Sequence, residues 1–122
     1  MPAILIVDDD SMVRKMLVKF FQKEGYGTLE ASDGKSALKI YRDEIIDVVI
    51  TDIVMPDMEG IETIRELRKI NPDVKIIAFS GGGSLAPDGY LKIAASMGAR
   101  YTFQKPFDIN ELKDAVQILL DS

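Results

Sequence analysis

The stretch Ala3-Ile4-Leu5-Ile6-Val7-Asp8-Asp9-Asp10 decides how this chain is read. An unbroken apolar run of this length, rich in β-branched residues, reads as a strand buried on both faces, as in a parallel sheet covered by helices. A second run, Val48-Val49-Ile50-Thr51, delivers another acid, Asp52. In such sheets ligands bind outside the carboxyl ends of the strands, where the strand order reverses. The two acidic endings therefore point to one site.

Outward from these runs the pattern alternates between strand-like and amphipathic segments. Strands are expected over residues 3–7, 28–31, 47–51, 74–79 and 100–104. After the first, Met12, Val13, Met16, Leu17, Phe20 and Phe21 recur at helical spacing, and Gly25 is placed to end that helix. A second helix covers residues 33–42 and presents Ala37, Leu38 and Tyr41. Ile61, Ile64 and Leu67 mark a third, which must stop before Asn71-Pro72. Leu91, Ala94, Ala95 and Met97 indicate a fourth, closed by Gly98, and the last carries Ile109, Leu112, Val116, Leu119 and Leu120. Right-handed crossovers make every strand parallel, so all carboxyl ends share one edge. The expectation is one α/β domain over residues 1–122, a doubly wound five-stranded parallel sheet with five helices. In the order 2-1-3-4-5, strands one and three flank the switch point and set Asp8, Asp9 and Asp52 side by side.

Composition narrows the chemistry. The 122 residues, 47% hydrophobic, suit one core. Lys+Arg 15 against Asp+Glu 20 gives a net charge of -5, which disfavours direct binding to nucleic acid or an anionic membrane. There is no cysteine, hence no disulfide or thiol chemistry, and no histidine, the commonest general base and metal ligand. Any metal must be held by oxygens, which suits a hard cation such as Mg²⁺. Every hydrophobic run is interrupted by charge within a few residues, and no signal-peptide pattern appears, so a cytoplasmic location is expected.

Three carboxylates at one edge repel one another, and a divalent cation neutralises them economically. Mg²⁺ takes octahedral oxygen coordination and keeps several waters, so two carboxylates, a carbonyl and a phosphate oxygen suit it. The competing reading makes each Asp after a strand a helix N-cap. That fits Asp10, which directly precedes the first helix. Asp8 and Asp9 exceed what one cap requires, and Met55-Pro56-Asp57-Met58-Glu59-Gly60 separates Asp52 from the next helix. The fourth run ends at Ser80 and the fifth near Lys105-Pro106, bringing a hydroxyl and an ammonium to the same edge. Alone, Ser80 before three glycines is turn chemistry and a lone lysine is a solvated side chain. Together with an acid cluster and a metal, they are what an incoming phosphoryl group needs. Asp52 is then the nucleophile, since carboxylates accept phosphoryl groups as aspartyl phosphates.

The combined pattern, Val7-Asp8-Asp9-Asp10, Asp52 with Met55-Pro56 and Gly60, Ser80-Gly81 and Lys105-Pro106-Phe107, resembles the receiver domain of two-component response regulators, in particular the stand-alone, chemotaxis-type ones. The resemblance covers essentially the whole chain and implies the flavodoxin-like form of the fold. It implies that Asp52 accepts phosphate from a histidine kinase or phosphotransfer protein, and that Asp8, Asp9, Asp52 and the carbonyl of Val54 hold Mg²⁺. It further implies that Ser80 is the switch hydroxyl, that Lys105 contacts the phosphoryl group and that the Lys105–Pro106 peptide is cis. Output then passes to a downstream protein target through the fourth and fifth helices and the fifth strand. Only Asp121 and Ser122 follow the last helix, so no output domain is expected in this chain; monomer and homodimer are both open.

Two features depart from the family. The position of the usual switch aromatic is Thr102, with Tyr101 one residue earlier, and strand alternation should point these two to opposite faces. Residues 81–87, Gly81-Gly82-Gly83-Ser84-Leu85-Ala86-Pro87, look longer than the common loop, and their glycines predict a mobile loop that orders on phosphorylation. Val54 and Gly82 offer no side-chain group to position a hydrolytic water, which predicts slow self-dephosphorylation. Two other classes compete. A Mg²⁺-dependent phosphatase resembling the haloacid dehalogenase superfamily would use Asp8 as nucleophile and Asp10 as general acid, but leaves Asp52 without a role. A flavodoxin-like cofactor binder would cradle phosphate on the glycines, against an acidic rather than glycine-rich first loop.

Overall fold

Strands β1 (Ala3–Val7), β2 (Gly27–Ala31), β3 (Val48–Asp52), β4 (Ile76–Ser80) and β5 (Tyr101–Gln104) form one sheet in the order β2-β1-β3-β4-β5. Every pairing is parallel. The structure is a computed structural model that describes residues 1–53, 60–80, 95–104 and 107–122. Helices α1 (Ser11–Lys23), α2 (Gly34–Asp43), α3 (Gly60–Ile70) and α4 (Ile109–Leu120) cover the sheet. The expected helix around residues 91–97 falls mostly outside the described residues. Its last part is helical at Ala95 and Ser96, and Gly98, at φ +119, follows.

Alternation along each strand feeds two cores. Leu5, Val7, Val49, Ile53 and Ala78 pack with Ala37, Leu38, Ile64 and Leu67 from α2 and α3. Ile4, Ile6, Val48, Ile50, Ile77 and Phe79 pack on the other face with Leu17 and Phe21 of α1 and Leu112, Val116 and Leu119 of α4. The helix starts follow their side chains. Asp10 caps α1 by accepting from the Met12 and Val13 N–H groups, Asp33 caps α2 through Ser36 N–H, and Asp108 caps α4 through Asn110 N–H.

Some expectations shift. Met12 and Met16, placed in the apolar stripe of the first helix by spacing, are 80% and 49% exposed. The sheet-facing stripe is Val13, Leu17, Phe20 and Phe21, and the two methionines sit beside it on a shared i,i+4 row. The third strand runs through Asp52, which pairs with Phe79. The fourth begins at Ile76, because Val74 N–H closes a turn onto the Asn71 carbonyl although the Val74 side chain is buried. Among the described residues no helix is long and apolar enough to cross a membrane.

Candidate functional site

β1 and β3 are neighbours in the middle of the sheet, so the residues at their carboxyl ends meet. Asp8 follows β1 directly and is fully buried, Asp52 closes β3 at 5% exposure, and Asp9 is exposed. One carboxylate oxygen from each of the three lies within 4.8 Å of the others. This set is all oxygen, two parts buried and one open to solvent. It fits Mg²⁺, which accepts hard ligands and retains water on its remaining positions.

Each acid is positioned by backbone. The Asp8 N–H extends the ladder to the Ala31 carbonyl at 3.1 Å, and Asp10 N–H donates to Asp8 Oδ1 at 2.9 Å. Arg14 Nη1 donates to the Asp8 carbonyl at 2.8 Å. On β3, the buried Thr51 hydroxyl donates to the Asp52 carbonyl at 2.9 Å. Ile53 N–H bonds the Phe79 carbonyl and Gly60 N–H bonds the Ile53 carbonyl, both at 3.0 Å. Gly60 is needed there: a Cβ would sit 2.3 Å from the Asp52 carbonyl oxygen. Asp10 is committed as a helix cap, at 2.9 Å from Met12 N and 3.4 Å from Val13 N. That use disfavours it as the general acid of a phosphatase.

Ser80 ends β4, 1% exposed, one residue beyond the Asp52–Phe79 pair. Thr102 pairs with Ala78, so Thr102, Ala78 and Ser80 share one face of the sheet. Tyr101 packs into the opposite core with Phe103, as alternation predicted. Phe107 packs against Phe79 and Phe103 with tilted rings, centroids 5.6 and 6.5 Å apart, on the α1 and α4 side of the sheet. Val54, Lys105, Pro106 and the glycine-rich segment 81–87 lie outside the described residues, and with them the carbonyl ligand, the phosphoryl-contacting lysine, the cis peptide, the mobile loop and the Val54/Gly82 hydrolysis argument. Arg14 and Thr51 were not visible as site residues in the sequence. Arg14 reads as a solvent-face charge of an amphipathic helix, and Thr51 as one more β-branched strand residue.

Comparison with known proteins gives one consistent answer. Residues 4–117 match the family model described as response regulator receiver domain. The chain is 39% identical over 114 residues to sporulation initiation phosphotransferase F of Bacillus subtilis, covering 93% of this chain and 90% of that protein. It is 38% identical to the chemotaxis protein CheY of Thermotoga maritima, covering 93% and 92% of the two chains. Among solved structures it is similar to the Thermotoga maritima response regulator TrrA in complex with Mg²⁺ and BeF, with a TM-score of 0.86, 38% identity and coverage of 98% and 100%.

Proposed function

This chain belongs to the response regulator receiver domain family, whose members are phosphorylated on an aspartate in two-component signalling, and on that premise we propose that Asp52 is the phosphoacceptor. The observation that carries the reading is the approach of the Asp8, Asp9 and Asp52 carboxylates to within 4.8 Å at the ends of adjacent strands. In the transfer, an Asp52 carboxylate oxygen forms a bond to phosphorus while the bond from phosphorus to the donor breaks, leaving an acyl phosphate on Asp52 and the donor's leaving group free. Asp8, Asp9 and Asp52 would hold Mg²⁺, with the Val54 carbonyl as the further ligand the family resemblance implies and water on the remaining positions. The chemistry such an ion would supply is neutralisation of the phosphoryl oxygens. Thr51 and Gly60 hold the Asp52 main chain, which fixes the reacting carboxylate relative to Asp8. Ser80 donates a hydrogen bond to the phosphoryl group, and Lys105 supplies a positive charge.

The donor is a histidine kinase or a phosphotransfer protein, and the setting is the cytoplasm. The new charge at Asp52 shifts the balance between two conformers and changes a protein-binding surface around β5 and the flanking helices, read by a separate target. Thr102 shares the Ser80 face and stands where the family usually carries the switch aromatic, so the coupling runs through a smaller side chain. The beryllium fluoride bound with Mg²⁺ in the TrrA structure is chemically a phosphoryl stand-in, which supports the same use of the site here. The test is incubation with acetyl phosphate and Mg²⁺, followed by mapping of the acyl phosphate by mass spectrometry. Label on Asp52, lost in Asp52→Ala, is expected. Stable label on Asp8, or labelling that survives Asp52→Ala, would falsify the assignment.

A further inference from the structure

We propose that Arg14 is a positioning residue for the metal-binding turn, locking the Asp8–Asp9 peptide so that both carboxylates face the cation. The inference rests on the metal reading of Asp8, Asp9 and Asp52 above. One guanidinium joins three elements: from α1, Arg14 Nη1 donates to the Asp8 carbonyl just past β1, and Nε donates to Glu30 Oε1 on β2, each at 2.8 Å. The Arg14 side chain is only 16% exposed, so this is a packed fork and not a solvated cation.

Among the described residues, three contacts anchor the turn. Asp8 N–H is fixed by the Ala31 carbonyl, and Asp8 Oδ1 by Asp10 N–H. Arg14 holds the third, the Asp8 carbonyl. Because the peptide unit is planar, orienting that carbonyl orients the Asp9 N–H and sets the direction in which Asp9 leaves. Asp9 is the exposed member of the acid cluster and has the least packing of its own. Its geometry therefore depends on the peptide plane behind it.

Charge explains the second contact. A lone guanidinium near the acids would oppose Mg²⁺, but Glu30 cancels it, so the pair supplies a rigid fork at no net charge. Lysine has a single flexible ammonium and would not reproduce the fixed fork geometry.

The experiment uses the charge-neutral double variant Arg14→Met/Glu30→Gln, which removes the fork while leaving net charge unchanged. MgCl₂ is titrated into the whole chain by isothermal calorimetry, and amide exchange and thermal unfolding are followed without Mg²⁺. Outer partners of metal ligands typically contribute ten- to a hundredfold, so Mg²⁺ affinity is expected to fall by about tenfold or more. Exchange at the Asp9 and Asp10 amides is expected to quicken. Arg14→Lys should fall between native and double variant, and it carries the test alone if the double variant does not fold. A folded variant that binds Mg²⁺ within about twofold of the native chain, whatever its melting temperature, overturns the positioning role. If the native chain itself fails to bind Mg²⁺, the metal reading falls, and this inference with it.

Discussion

Replacing Gly60 with alanine should damage both the fold and the reaction. The new Cβ would lie 2.2 Å from Ile53 Cα, 2.3 Å from the Asp52 carbonyl oxygen and 2.8 Å from the Ile53 carbonyl carbon. Carbon atoms pack comfortably at about 3.5–4.0 Å, so relieving the first contact alone needs roughly 1.3 Å of movement. All three atoms are backbone, in residues that are almost fully buried, and no flexible side chain can yield. Overpacking of this kind costs about 1–3 kcal/mol or more. In a domain of this size each kcal/mol is roughly 4 °C, so Tm should fall by about 4–12 °C. The reaction should suffer more, because displacing Asp52 by about 1 Å misplaces the attacking oxygen and costs on the order of 10²-fold in rate. The assay pairs thermal unfolding with the rate of acetyl phosphate labelling in saturating Mg²⁺. Gly25→Ala is the control: its Cβ meets nothing within 4 Å, but its φ of +92 imposes strain of about 1–2 kcal/mol. It should lower Tm comparably while sparing the labelling rate of the folded protein. Native labelling in Gly60→Ala, or equal losses in both variants, would refute the argument.

Three further outcomes follow from the same geometry. Asp9→Asn should raise the stability of the metal-free chain by on the order of 1 kcal/mol, by relieving repulsion among the acids, yet weaken Mg²⁺ binding; denaturation with and without MgCl₂ should show the opposite signs. Thr51→Val removes the hydroxyl that holds the Asp52 carbonyl at 2.9 Å and should cost about 1 kcal/mol in urea unfolding, with slower labelling at unchanged Mg²⁺ affinity. The Ser36 backbone N–H, 2.8 Å from Asp33, holds the Asp33 carboxyl below its ordinary value of 3.8. Its contribution is therefore full above that value and is lost as pH falls through the lower folded pKa. The stability gap between native and Asp33→Ala, about 1 kcal/mol at neutral pH, should close in strongly acidic solution; a gap independent of pH would remove the charged cap.

The sequence carried the sheet and the principal acids because both depend on local pattern. Apolar runs buried on two faces are legible without coordinates, and an Asp directly after such a run has one place to go. Strand ends are less legible in the sequence. Val74 is as apolar as a strand residue but closes a turn, because hydrophobicity reports burial and not hydrogen-bond pairing. Met12 and Met16 satisfied helical spacing yet lie at the edge of the stripe, since the tilt of α1 against the sheet decides which row is covered.

By itself, then, the sequence determined the alternation of elements, the carboxyl-edge placement of Asp8, Asp9, Asp52 and Ser80, and the capping role of Asp10. The tertiary structure alone decided that three carboxylate oxygens approach within 4.8 Å, and that Arg14, Glu30, Thr51 and Gly60 set the backbone on which they stand. The reason is physical. Periodicity tells which face a residue occupies but not which atoms meet: Arg14 binds the Asp8 turn and also reaches Glu30 on β2, and the backbone at the start of α3 passes against the end of β3, contacts that only the folded path of the chain sets.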